Sequence, residues 1–339
     1  MTKRIGIVGA SGYTGAELLR LCSLHPEIEV VVATGDSAAG TRAAAAFPNL
    51  AAAYPDLVYS PYEPADFDGL DLVFLAMPHG ASQHLVPDLR KRAGAIVDLA
   101  ADFRLKDASL YPVWYHDEHH APELLSEFAF GLPELFRADV AASKLIAAPG
   151  CYVTTASLAL APLVRAGVVE AAGIVVDAAS GVSGAGKAPK PNTHFNAVDE
   201  DFTAYGLLNH RHTPEIEQAI GAQVIFTPHL VPMNRGILAT CYARPTGTTS
   251  TAGLTELLRD FYRNEPFVVV TDEVPSTKAT LGSNTAHVTA RYDERTGWVI
   301  VLSALDNLVK GASGQALQNA NIVLGLPETM GLPLVGLYP

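Results

Sequence analysis

The feature that most narrows what this chain can fold into lies at its start. Arg4 to Val8 reads as a short buried strand, followed by Gly9-Ala10-Ser11-Gly12-Tyr13-Thr14-Gly15. A helical pattern carrying Leu18, Leu19, Leu21 and Cys22 comes next, then a second apolar run from Ile28 to Ala33. Strand, glycine-rich turn, helix, strand is the βαβ unit of a parallel sheet. Its turn aims a helix N-terminus at a bound pyrophosphate, and glycine lets the backbone approach the ligand. The spacing here is G-x-x-G-x-x-G, with Ser11 in place of a second glycine. A plain glycine-rich turn is the competing reading, but the position at the head of an α/β pattern favours a dinucleotide. We therefore expect a Rossmann-type α/β domain whose cofactor is lined by Gly9, Ser11, Gly12, Tyr13, Thr14 and Gly15. Cys22 reads as core.

The second strand runs out at Thr34-Gly35-Asp36-Ser37. An acidic residue here commonly binds the adenosine ribose of NAD. Equally, Thr34 and Ser37 can hydrogen-bond a 2′-phosphate, as in NADP, while Asp36 points to solvent. The residues leave both open. Ala38 to Ala53 is Ala-rich and reads as loop with a short helix. A strand over 71–76 then meets Met77-Pro78-His79-Gly80, ahead of a helix over 82–92. Loops at strand ends line the ligand crevice of open α/β sheets, so Pro78 and His79 are candidates for the nicotinamide half; a simple turn histidine is the alternative. After a strand over 95–99, Arg104 is placed to clamp a carboxylate or phosphate with its two-pronged guanidinium, or else to form a structural ion pair with Asp98 or Asp102. The segment Tyr111 to His120 is histidine-rich, but it lacks helical i, i+4 ligand spacing. It reads as a solvated loop, and no metal site is expected.

The second chemical feature is Ile146-Ala147-Ala148-Pro149-Gly150-Cys151-Tyr152-Val153-Thr154-Thr155. An apolar run stops at Pro149-Gly150, and a helical pattern follows through Leu158, Leu160 and Leu163. Cys151 is thus expected at a strand-to-helix turn. The partial positive charge of a helix N-terminus favours thiolate, the nucleophilic form. A buried structural cysteine is the competing reading.

Beyond Cys151 the character changes. Strand-like runs cover 173–178, 223–228, 237–243, 268–271, 286–292 and 298–305, with helical pattern at 157–166, 213–220 and 255–263. This suggests an α+β domain on a largely antiparallel or mixed sheet, with Cys241 in its core. One face of such a sheet needs a cover, so an oligomer is expected. Ser180 to Lys187 is too glycine-rich for a sheet interior and suits a phosphate or nicotinamide; Ala188 breaks the P-loop pattern. Asn209-His210-Arg211-His212-Thr213-Pro214 leads into a helix, Pro suiting its first turn. His212 is then set just before that turn as an acid/base partner for a thiolate; His210 serves substrate binding or structure. The last helix is expected over 316–324, packing back on the first domain. The expected division is 1–148 with 311–339, and 149–310.

The totals narrow the partners. At 339 residues about two domains are expected. The chain is 49% hydrophobic and 17% charged, which excludes a disordered chain. A net charge of −12 with no Lys/Arg block argues against nucleic acid. No apolar run approaches the roughly 20 residues of a membrane span, and no signal-peptide pattern precedes the first strand. Three widely spaced cysteines suggest neither disulfides nor zinc. The cytoplasm is the expected compartment.

Taken together, these blocks resemble the N-acetyl-γ-glutamyl-phosphate reductase family of arginine biosynthesis, within the aspartate-semialdehyde dehydrogenase-like superfamily. The resemblance is carried by Gly9 to Gly15, Phe74 to Gly80, Ala101 to Leu105, Phe130 to Glu134, Pro149-Gly150-Cys151-Tyr152, Ser183 to Lys187, His210 to Ile216, Phe226 to Leu230, Met233 to Leu238 and Asp306 to Gly311. One departure is Val153, where many members carry proline. The resemblance implies NADPH-dependent reduction of an acyl phosphate to an aldehyde, with Cys151 as nucleophile, His212 as acid/base and Arg104 on the substrate carboxylate. It adds Ser183, Gly184 and Asn307 to the cofactor contacts and implies a homodimer or homotetramer. Competing readings are a reductase of aspartyl or carrier-bound aminoadipyl phosphate, an NADP-binding redox sensor and a cofactor-free thiol hydrolase.

Overall fold

Strand β1 (Lys3–Val8) is apolar and buried from Ile5 onward, and the chain builds a sheet around it. Helix α1 (Tyr13–Cys22) follows, then β2 (Ile28–Ala33), α2 (Ala43–Ala46), β3 (Leu72–Leu75), α3 (Ser82–Leu89), β4 (Ile96–Asp98), α4 (Leu110–Tyr115), β5 (Ala129–Phe130), α5 (Pro133–Ala142) and β6 (Leu145–Ala147). The structure is a computed structural model describing residues 2–339. All pairings in this six-stranded sheet are parallel, in the order β2-β1-β3-β4-β6-β5. The continuous apolar runs fit: β3 is Leu-Val-Phe-Leu and wholly buried, as a strand covered on both faces must be. α1 buries Leu18, Leu19, Leu21 and Cys22, and burial pushes the Cys22 thiol up to about 12, so this cysteine is core. The strand order reverses between β1 and β3. The turn after β1 and the loop after β3 therefore flank the crevice where doubly wound sheets take their ligands.

The second unit holds α6 (Cys151–Arg165), β7 (Ile174–Gly181), α7 (Phe195–Val198), β8 (Thr203–Ala204), α8 (His212–Ile220), β9 (Val224–Val231), β10 (Ile237–Ala243), α9 (Thr251–Phe261), β11 (Val268–Val270), β12 (Ala286–Asp293) and β13 (Trp298–Leu305). Its seven strands run β11-β12-β13-β10-β7-β9-β8. The sheet is mixed: β7–β9 and β11–β12 are parallel, the other pairs antiparallel. Burial alternates along β9 and β10, and along β7 as far as Ser180. One face, with Val176, Cys241 and Val301, packs on α6 and α9; Cys241 is fully buried and its thiol pKa is raised by that burial. On the other face Ile225, Val175, Tyr242 and Ile300 line up in register across four strands, none of them fully buried.

The first unit comprises residues up to Pro149 with Ala312–Leu332, and the second Gly150–Gly311 with Pro333–Pro339. Helix α10 (Gly314–Val323) packs in the first unit on α5 and β4, and Asn319 Nδ2 donates to Gly131 O at 2.8 Å. The final residues differ from the expected division. Asn284 N–H donates to Pro333 O at 2.8 Å and Leu337 N–H to Leu281 O at 2.7 Å, so 333–339 belongs with the second unit. Two further expectations change. Leu110–Tyr115 is a short helix rather than loop, because Tyr111 and Tyr115 bury their rings. Ser180 and Gly181 close β7 instead of standing outside the sheet, paired with Leu230 and Val231.

Candidate active site

The turn after β1 is shaped by glycines that no other residue replaces. Gly9 has φ +82, and a β-carbon on it would meet Ala76 O at 2.5 Å. A β-carbon on Gly15 would lie 2.5 Å from Ala10 Cα. Gly12 caps α1 with no side-chain cap and no acidic residue in the first turn, so the helix end keeps its N–H groups for an anion. Ser11, the substitute for the second glycine, donates its hydroxyl to Gly35 O at 3.1 Å and ties the turn to the end of β2. Tyr13 is partly exposed, and Thr14 O accepts from Ser313 Oγ at 2.8 Å. Thr34 is buried and its Oγ1 accepts Gly9 N–H at 3.2 Å, which braces the turn from beneath. Asp36 and Ser37 are both exposed beyond β2, Asp36 in left-handed backbone at φ +45. These residues fit a dinucleotide's pyrophosphate.

In the loop after β3, His79 Nδ1 lies 2.6 Å from Asp102 Oδ1, and its ring stacks on Tyr115 at 4.3 Å between centroids. Pro78 precedes it. Arg104 is buried and donates to Leu99 O at 2.7 Å, and its charge only partly offsets the burial and the Asp102 charge that raise the pKa of Asp98. The histidine-rich segment is solvated at His116, Asp117, Glu118 and His120 but not at His119, whose Nε2 donates to Asp102 O at 2.6 Å between Tyr111 and Phe103. Sequence reasoning missed this because the ring partners come from separate segments.

In the second unit, Cys151 is the first residue of α6, behind the Gly150 cap, and is half-buried. The helix thus starts six residues earlier than its apolar pattern, since the buried Thr154 and Thr155 carry no periodic signal. Gly311 makes room for the cysteine: a β-carbon there would meet Cys151 Cβ at 2.8 Å. His212 opens α8 rather than preceding it. Its Nε2 occupies the space beside Gly150, 2.1 Å from where a β-carbon would stand. Glu215, one turn along α8 and fully buried, accepts Gly150 N–H at 3.1 Å and pins the same turn. His210 Nδ1 accepts His212 N–H at 3.1 Å, and the two rings meet edge to face at 4.7 Å. Burial, with His212 nearby, holds His210 down at about 3, so it is neutral at neutral pH. With Nδ1 occupied, its proton sits on Nε2. Asn307 bridges Gly236 N–H (2.8 Å to Oδ1) and Ser183 Oγ (2.9 Å from Nδ2), holding the Ser183-Gly184 loop in place. A β-carbon on Gly184 would press on Ser180 Oγ at 2.8 Å.

Comparison with known proteins agrees with this division. The model of the semialdehyde dehydrogenase NAD binding domain matches residues 4–143, and that of the semialdehyde dehydrogenase dimerisation domain matches residues 151–307. Aspartate semialdehyde dehydrogenase II from Vibrio cholerae shares the fold at a TM-score of 0.71 and 15% identity, over 96% of this chain and 99% of that one. A relative from Symbiobacterium thermophilum named N-acetyl-gamma-glutamyl-phosphate reductase is 49% identical over 349 residues, with 100% of each chain covered. Another of that name from Citrifermentans bemidjiense is 48% identical, with 99% of each covered. With both of its domains matched and relatives of this similarity spanning its whole length, the chain belongs to the N-acetyl-γ-glutamyl-phosphate reductase family.

Proposed function

We propose that this protein reduces N-acetyl-γ-glutamyl phosphate to N-acetyl-glutamate 5-semialdehyde, releasing phosphate, with NADPH as reductant and Cys151 carrying the acyl group. The observation that carries the catalytic reading is the placement of His212 Nε2 against Gly150, directly before a half-buried cysteine at the head of a helix. The names of the full-length relatives supply the substrate.

The Cys151 thiolate, favoured by the α6 N-terminus, attacks the acyl carbon, and the C–O bond to phosphate breaks. A thioester results. NADPH, when bound, supplies a hydride to the thioester carbon. His212 gives a proton to the oxygen that becomes alkoxide, then takes one back as the thiohemiacetal collapses to aldehyde and thiolate. Neutral His210 presents Nε2–H as a donor to a substrate oxygen, and Arg104 takes the substrate carboxylate. Gly9 to Gly15 hold the pyrophosphate. Ser37, exposed beyond β2 beside Asp36, takes the 2′-phosphate, with Thr34 bracing the turn behind it. Pro78, His79, Ser183, Gly184 and Asn307 are assigned to the rest of the cofactor. The protein works as a homodimer or homotetramer, joined through the sheet face that carries Tyr242 and Ile300. No helix among the described residues is long and apolar enough to cross a membrane.

The test runs the reaction backwards. The semialdehyde and inorganic phosphate should reduce NADP⁺, with NAD⁺ run in parallel, and phosphate should be required. Cys151→Ser should abolish turnover. A serine variant at near-normal rate, or reduction independent of phosphate, would end this reading; aspartate semialdehyde as the better substrate would move it to the sister chemistry.

A further inference from the structure

Four side chains of the first unit form a line of contacts that the reduction steps leave unused. Ser82 Oγ lies 2.7 Å from Asp98 Oδ2 and 2.9 Å from Asp102 Oδ2. Asp102 Oδ2 also accepts Gln83 N–H at 3.1 Å, while its Oδ1 accepts Gly80 N–H at 2.7 Å and lies 2.6 Å from His79 Nδ1. Asp98 Oδ1 accepts Ala100 N–H at 2.9 Å. Ser82, Asp98 and Asp102 are all fully buried.

A hydroxyl has one proton to give. Ser82 can therefore satisfy only one of the two carboxylates. Two buried anions sharing one hydroxyl oxygen pay for desolvation and repulsion together, so one acid keeps its proton. The donors decide which. Asp102 has N–H groups aimed at both oxygens and an imidazole beside it; Asp98 has a single N–H besides Ser82. Charge agrees with geometry. Burial and then the Asp102 charge raise Asp98 to about 8, against the Ser82 and Ala100 hydrogen bonds and the Arg104 charge. For Asp102 burial works upward but is outweighed by His79, Gly80 and Gln83, and its pKa falls to about 2. A carboxylate oxygen and a ring nitrogen at 2.6 Å need a proton between them, so His79 Nδ1 carries one. Both ring nitrogens of His79 are buried and neither makes a well-aligned hydrogen bond among the described residues, but Nδ1 has Asp102 Oδ1 within ion-pair distance.

We infer that Asp98 is a proton-bearing acid that donates to Ser82, that Ser82 donates to the Asp102 carboxylate, and that Asp102 holds His79 with Nδ1–H turned inward and Nε2 left for the nicotinamide cofactor. Asp98, Ser82 and Asp102 are then positioning residues, and the line rests on the reading above that His79 contacts the cofactor. The other charged or titratable groups around it are few. Arg104 faces Asp98; His79, His119 and Tyr111 face Asp102, and Tyr115 stacks on His79. On α3, His84 stacks on His120 and Asp88 pairs with Arg92. Helix α10, packed on β4, carries no titratable residue, nor do β3 and β6 beside it.

Asparagine mimics the protonated acid: its amide N–H reaches Ser82 and its oxygen accepts from Ala100. Asp98→Ala should weaken NADPH binding, read by fluorescence titration, about 10-fold, and Asp98→Asn should restore it to within about 2-fold. Asp98→Asn as damaging as Asp98→Ala would overturn the inference. Stability supplies the second readout. A carboxyl raised from about 4 unfolded to about 8 folded stabilises fully at low pH, and that contribution is lost as pH rises between those values. The stability of wild type relative to Asp98→Asn should therefore fall as pH rises across that window and level above it; a relative stability flat with pH would also overturn the inference. On wild type alone, a protonated-carboxyl infrared band should persist near neutral pH and vanish above about 9; its absence near neutral pH would count against a proton on Asp98. His79→Asn separates the two readings. Normal NADPH affinity there would remove His79 from the cofactor while leaving the Asp98 proton to stand on its pH dependence.

Discussion

At the scale of single residues, the proposed chemistry turns on space kept free beside the cysteine. Gly150 and Gly311 each border Cys151 where a methyl group would collide with His212 Nε2 or with Cys151 Cβ. Gly150→Ala should displace the His212 ring, which can swing, rather than the backbone, which cannot. We expect the fold to survive with a loss of about 10²-fold or more in kcat, matching His212→Asn, since general acid/base help is worth about 10²–10⁴-fold. Near-UV circular dichroism alongside kcat checks this, and a Gly150→Ala enzyme at full rate would detach His212 from the chemistry. The place of Cys151 at the head of a helix was legible in the sequence because Pro149-Gly150 ends a strand and an apolar helix follows. The glycine at 311 was not, since its neighbour is 160 residues away in the chain, counted from Cys151 to Gly311.

At the scale of elements, the first turn and helix form the firmest unit of recognition. Gly15 packs so closely on the backbone of Gly9 and Ala10 that Gly15→Ala must move the turn or the helix, because neither contact is a flexible side-chain end. Overpacking of this kind costs about 1–3 kcal/mol. We expect a lowered melting temperature and at least about 10-fold weaker NADPH binding, with Cys151 still alkylated at the normal rate because it lies in the other unit. Unchanged NADPH affinity would remove this turn from the cofactor. Most strands were readable from β-branched apolar runs, and β2, β10 and β13 coincide with their sequence bounds. The elements missed were α4, α5, α7 and the two-residue strands β5 and β8. Their residues lack a clean period; α4 forms because Tyr111 and Tyr115 are buried and α5 because α10 packs on it, while α7 and β8 stay exposed, β8 held by its pairing with β9.

For the whole molecule, one face of the mixed sheet carries Val175, Tyr242 and Ile300 in register and only half-buried. A buried charge without a partner is strongly unfavourable, so Ile300→Glu should shift sedimentation toward a smaller species while the variant monomer stays folded. An unchanged sedimentation coefficient would place the subunit interface elsewhere. The sequence by itself determined the parallel first sheet, the mixed second sheet, the cysteine at a helix head and the glycine-rich turn after β1, because each is written in contiguous residues whose spacing is local physics. Tertiary structure alone decided that residues 333–339 pair with 281–284, that His119 folds onto Asp102, and that Ser82 stands between two aspartates. Those contacts join segments with no shared period, and proton placement among buried acids follows from which donors the folded chain brings within reach.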